Sequence, residues 1–330
     1  MLRPCEPVFR ARCSVLGSAR GAFSALLLIA ATAGAAGCLT HQYRSRPRVA
    51  VVDGDPIVQM KRPGEFPTVT KPSLVAPDQH SDPPDEDSRI LGLTVGAVPR
   101  AYPIGLLDRF EVVNDAVPEL SFVVARCALT AITAVYDRRV GKHVLEFQNS
   151  GALWRDTLVL RDRSTGTYWS AATGRALHGP LAGQRLRPIP AVVTRAGDWQ
   201  RVFPASLTMD LDKDTSEPFF MRIYGASRWQ GISGRKSADP RHKPKQEIFA
   251  VGEEDEELAF TAGEIEAAGR VETTLRGEPI SIQWDAALGA PRACGPEGDE
   301  RAVVPMFWFA AARHYARVKT LVDQAEKETR

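Results

Sequence analysis

The sequence predicts an α+β, β-rich fold: antiparallel meander sheets, a few short helices and a degenerate internal duplication around residues 90–127 and 248–285. Three observations predict it. Apolar residues fall in short runs of strand length bounded by turn residues, as in Leu120-Ser-Phe-Val-Val-Ala-Arg-Cys127 and Ile132-Thr-Ala-Val-Tyr-Asp137. Helical spacing is brief, as in Ile104-Gly-Leu-Leu-Asp108. A constant shift of 158 places Ile90 on Ile248, Ala101-Tyr102 on Ala259-Phe260, Leu107-Asp108 on Ile265-Glu266, Val113 on Val271, Phe122 on Ile280 and Val124 on Ile282, without a gap.

Taken in order, the chain begins with the uncharged run Phe23 to Gly37 after Arg20. It falls short of the about 20 residues of a lasting membrane helix, so residues 1–37 are expected to be a signal peptide. The run closes on Ala35-Ala36-Gly37-Cys38, which resembles a bacterial lipoprotein cleavage box with Cys38 as the lipidated residue; the alternative is an ordinary signal peptide with an incidental Cys38. Leu39, not Asp, follows Cys38, which favours the outer membrane. The expected location is therefore the bacterial cell envelope, facing the periplasm, with the membrane as a partner through Cys38.

Residues 38–88, rich in proline, are expected to be an extended tether in which only Val49-Ala-Val-Val52 followed by Asp53-Gly54 reads as a short strand and turn. The body is expected over 89–323, as a first half 89–210, a polar crossover 211–247 and a second half 248–323, with a polar tail at 324–330. In the first half, Val140-Gly141-Lys142, Ser164-Thr165-Gly166 and Thr173-Gly174 separate hairpin strands. Gly197 to Phe203 is expected to form a short helix with Asp198 as N-cap, and a terminal helix is expected to share Ala312, Tyr315, Val318 and Val322 on one face. A length of 330 residues allows a large core, and a formal charge of +2 leaves no basic field for nucleic acid.

A set of short motifs in one order adds a resemblance: Ala101-Tyr102-Pro103, Glu111-Val-Val-Asn114-Asp115, Cys127, Tyr136-Asp137-Arg138-Arg139, Ser150-Gly151, Arg161-Asp162-Arg163, Tyr168-Trp169-Ser170 and Gly179-Pro180-Leu181. Over roughly residues 63 to 320 the chain resembles the domain of unknown function 3179 family (DUF3179). The resemblance implies a Cys-x-x-Cys redox pair at Cys127, but here the motif is Cys127-Ala128-Leu129-Thr130 and the resolving thiol is missing. It also implies a histidine before Glu111, where this chain has Phe110.

Three readings of Cys127 follow: a buried bystander, a disulfide with Cys294, or a single reactive nucleophile shaped by Asn114, Asp115 and Arg126. Asp115, Asp137, Asp156 and Asp162 at strand ends are either a converging acid–base pair or turn caps and arginine partners. Trp169 is either a ring of a ligand cleft or core. The histidines show no close ligand spacing, so neither a metal nor another cofactor is expected. The sequence thus points to a non-catalytic binding or assembly module for an envelope protein or a small molecule, with a thiol enzyme at Cys127 and a carboxylate hydrolase as alternatives.

Overall fold

The computed structural model describes residues 40–211, 219–253, 256–315 and 317–321. The stretch expected to be a signal peptide, Cys38, Val322 and the polar tail lie outside the described residues. Four strands lead in: β1 (Arg48–Val52), β2 (Asp55–Gln59), β3 (Val69–Thr70) and β4 (Leu74–Val75). The first copy follows as β5 (Arg89–Leu93), β6 (Arg100–Pro103), α1 (Ile104–Phe110), β7 (Val112–Val117), β8 (Leu120–Cys127) and β9 (Ile132–Asp137). Six strands come next: β10 (Arg139–Val140), β11 (His143–Val144), β12 (Phe147–Trp154), β13 (Thr157–Asp162), β14 (Tyr168–Ser170) and β15 (Ala176–His178). A strand, helix and strand finish the first half: β16 (Val192–Arg195), α2 (Ala196–Val202) and β17 (Leu207–Met209).

The crossover carries α3 (Phe219–Ala226). The second copy then runs β18 (Glu247–Glu253), β19 (Glu256–Phe260), α4 (Ala262–Ala268), β20 (Arg270–Leu275), β21 (Glu278–Asp285), β22 (Ala290–Cys294), β23 (Glu300–Arg301), β24 (Val304–Phe307), α5 (Trp308–His314) and β25 (Arg317–Thr320). The expected β-rich fold of antiparallel sheets and short helices is borne out, and so is the duplication. The shift of 158 residues carries α1, β7 and β8 onto α4, β20 and β21 end to end.

The repeat also reaches further than the sequence showed. Both halves end in a strand, a helix and a strand, β16–α2–β17 and β24–α5–β25. Each set completes a sheet of one plan: β16-β5-β6-β17-β4 in the first half, β24-β18-β19-β25 in the second, with the last strand of each copy parallel to β6 or β19. The companion sheets β3-β7-β8-β9 and β20-β21-β22-β23 also correspond. Equivalent side chains fill equivalent cores: Leu91, Tyr102, Leu107, Phe122, Val124 and Val135 in one, Phe249, Phe260, Ile265, Ile280, Ile282 and Ala293 in the other.

The halves clasp each other. β24 of the second packs on β9 of the first, and β16 of the first packs on β22, the counterpart of β9. The Thr130 carbonyl accepts from the Phe307 N–H at 2.8 Å, and its counterpart, the Leu288 carbonyl, accepts from the Thr194 hydroxyl. Arg89 pairs at 2.6 Å with Glu247, its own equivalent, so the two copies meet about a local twofold axis.

Three expectations are corrected. Residues 38–88 are not a free tether where they are described: β1 and β2 extend the sheet β1-β2-β12-β13-β14-β15, β3 pairs with β7 and β4 with β17. The prolines fit because Pro56 lies where only β1 abuts β2, and Pro72 lies between strands. The terminal helix stops at His314, and Val318 lies instead in β25, where burial of alternate residues Val318 and Thr320 marks a strand. The short helix at 196–202 forms, but its N-cap is Arg195 and Asp198 sits in the first turn.

Candidate functional site

Cys127 ends β8, yet its thiol does not meet solvent. It is 1 % exposed within the main core, and its Sγ accepts the Leu158 N–H of β13 at 3.3 Å. Burial, with the nearby Glu111 carboxylate adding to it, pushes the thiol up to about 11. The expected aid from Arg126 is absent because neighbours on a strand point to opposite faces. Arg126 turns away to Asp108 at 2.8 Å, the Ala131 carbonyl and the Thr133 hydroxyl. The Cys127–Cys294 disulfide, one of the three readings, is not formed: both thiols are free, Cys127 in the first half's sheet and Cys294 in β22 of the second.

Of the remaining predicted residues, Asp162 and Trp169 meet, and the others have separate partners. Asn114 clips β7 to β12, accepting the Phe147 N–H at 2.8 Å and donating to the Phe147 carbonyl at 2.7 Å. Asp115 accepts from the Tyr102 hydroxyl at 2.6 Å and pairs with Arg100. Asp137 holds Arg139 at 2.7 Å and Arg187 at 2.9 Å, and these hydrogen bonds outweigh its desolvation and take its carboxyl down to about 2. Asp162 caps the turn to β14, accepting from Thr165 N–H, Thr167 N–H and the Trp169 indole N–H at 3.0 Å. Trp169 is wholly buried. Asp156 accepts from the Ser233 N–H at 2.7 Å and pairs with Arg313 at 2.6 Å. Each carboxylate thus has its own partner set, and none shares a site with another. Among the described residues no three His, Cys, Asp or Glu side chains come together as metal ligands.

Two features escaped the sequence reading. The first is Glu111, the C-cap of α1, held at φ 56° in the left-handed region. Its carboxylate accepts from Asn149 Nδ2 at 2.5 Å, and burial pushes it up to about 7 against the lowering effect of that bond. The counterpart C-cap, of α4, is Gly269 at φ 69°, the residue this backbone favours. The shift that exposes the repeat also aligns Glu111 with Gly269, so the signal was present in the sequence.

The second is a cleft of about 530 Å³ where β9 and the loop that follows the inserted strands β10–β15 meet the second copy. Its buried floor comprises Tyr136, Tyr315, Ala250 and Ile280, and its more exposed walls carry Arg185 and Arg187 from the first half and Arg276 and Arg301 from the second. Gly174 lets the floor close, since a Cβ there would stand 2.8 Å from the Tyr136 ring. These residues are scattered from 136 to 315, so no local motif marks them.

No match was found among curated proteins or among solved structures. The family model described as "Protein of unknown function (DUF3179)" matches residues 63–329, nearly the whole of the described body. The chain therefore belongs to the DUF3179 family.

Proposed function

We propose that this protein is a non-catalytic binding module, held at the bacterial envelope by a lipid on Cys38, whose ligand site is the cleft between the first half and the second copy. One observation carries the reading: the only thiol of the family's redox motif present here, Cys127, is buried, and at about 11 its pKa leaves it almost wholly protonated at neutral pH. A buried thiol without a partner sulfur does not turn over electrons, whereas a half-open cleft of this size is of the dimensions that take small molecules. The membrane placement rests on Ala35-Ala36-Gly37-Cys38.

Alkylation of the folded chain against pH tests the first part. Cys127 is expected to resist iodoacetamide until the protein unfolds, and rapid modification at neutral pH would reject the reading. Metabolic labelling with a fatty acid tests the second: label kept by Cys38→Ser would reject the anchor.

A second reading, an enzyme using Glu111 as acid and base, is favoured by one observation: a half-buried carboxylate poised near neutrality sits in a backbone conformation for which its counterpart uses glycine. It predicts that Glu111→Gln abolishes whatever turnover a substrate screen finds, while Cys127→Ala leaves it.

A further inference from the structure

We infer that the cleft takes an organic anion: an apolar, ring-sized body against the floor and a carboxylate or phosphate between the arginine walls. The inference rests on the cleft being the ligand site and adds the chemistry of what it holds. The floor is apolar in practice, although two tyrosines form it. The Tyr136 hydroxyl donates to the Ala171 carbonyl at 3.0 Å and the Tyr315 hydroxyl to the Ala172 carbonyl at 3.4 Å, so both direct their polar ends to backbone and leave carbon to line the space.

Polar recognition then falls to the walls. Four arginines and two carboxylates, Glu257 and Glu278, line the cleft, and Asp137 and Asp299 behind them hold Arg187 and Arg301. Arg185 makes no ion pair among the described residues; it donates one N–H to the Thr173 carbonyl at 3.1 Å, and a guanidinium has five to give. Arg187 shares its carboxylate, Asp137, with Arg139. Arg301 pairs with Asp299 at 2.8 Å and lies 3.9 Å from Glu278. The wall of Arg185 and Arg187 is thus short of negative charge, and a planar or tetrahedral oxyanion matches the guanidinium fork.

Isothermal titration of the purified full chain with 1-naphthyl phosphate, 1-naphthoate and the uncharged 1-naphthalenemethanol tests this. At least one anion is expected to bind one-to-one about tenfold tighter than the alcohol, with affinity falling as salt rises. Arg185→Ala is expected to weaken the anion about tenfold and leave the alcohol unchanged. Ala302→Trp, which fills the space, is expected to remove both. The anion that binds tighter separates a phosphate site from a carboxylate site. If the alcohol binds as tightly as the anions, or if a folded Arg185→Ala, Arg276→Ala double variant binds the anions as before, the charge assignment fails while the cleft stands as a ligand site. If no probe binds, both readings fall.

Discussion

In the first copy β7, β8 and β9 are covered on both faces, whereas in the second β20 alternates exposed with half-buried residues and β21 keeps only its middle buried. The inserted strands make the difference, because β12 and β13 lie over β7 and β8 while the counterpart face of the second copy is left to solvent. The side chains follow. Asn114 ties β7 to Phe147, and its counterpart Glu272 stands in solvent beside Arg270. Asp115 receives the Tyr102 hydroxyl; the counterparts are Thr273 and Phe260, which have lost the acid and the hydroxyl together. Arg126 and Asp108 are a buried pair, replaced by Trp284 and Glu266. Of these polar groups Asn114 is the joint between the copy and its insertion, while Asp115 and Arg126 tie the copy to itself, and the cleft lies on the face where the first half meets the other copy.

The comparison can be broken most sharply at the buried pair. Arg126→Ala strands Asp108 in the core and is expected to cost about 3–5 kcal/mol in chemical denaturation. Trp284→Ala, at the half-exposed counterpart, is expected to cost clearly less. Next comes the clip: Asn114→Ala leaves the Phe147 amide and carbonyl unsatisfied and is expected to cost about 2–4 kcal/mol. Glu272→Ala should stay within about 0.5 kcal/mol. Equal costs at Asn114 and Glu272 would refute the interlock.

Glu111 sharpens it further. Its folded pKa, about 7, lies above its ordinary 4.5, so its contribution to stability is full below 4.5 and is lost as pH rises through 7. Wild type is expected to lose stability across that window relative to Glu111→Gln. Glu111→Gly, which copies the second half, is expected to gain about 1 kcal/mol above pH 7 from relief at the left-handed position. The smallest effect is at the axis: Arg89→Ala, Glu247→Ala and their double variant are expected to give a coupling of about 0–1 kcal/mol, as for an exposed pair.

Much of this fold was legible because its repeat kept core positions in place, so that Ile90, Tyr102, Phe122 and Val124 announce Ile248, Phe260, Ile280 and Ile282. The return units β16–α2–β17 and β24–α5–β25 were not legible. The insertion breaks the common shift between them, and Trp199 of the first has no large counterpart in the second. The strand at 49–52 and its turn at Asp53-Gly54 were legible, but residues 55–75 misled because proline content reports local stiffness, whereas backbone pairing with β12, β7 and β17 decides where those strands lie. The cleft was illegible for a simpler reason: Arg185 and Arg276 are brought together by the clasp of the halves, and no spacing in the chain records it.

Arg89 and Glu247 hold one position in two copies and touch each other. In a symmetric pair of separate, identical chains that position would face itself, and like charge would meet like charge. A bond of opposite signs across the dyad needs two copies whose sequences differ at that position, as these two do.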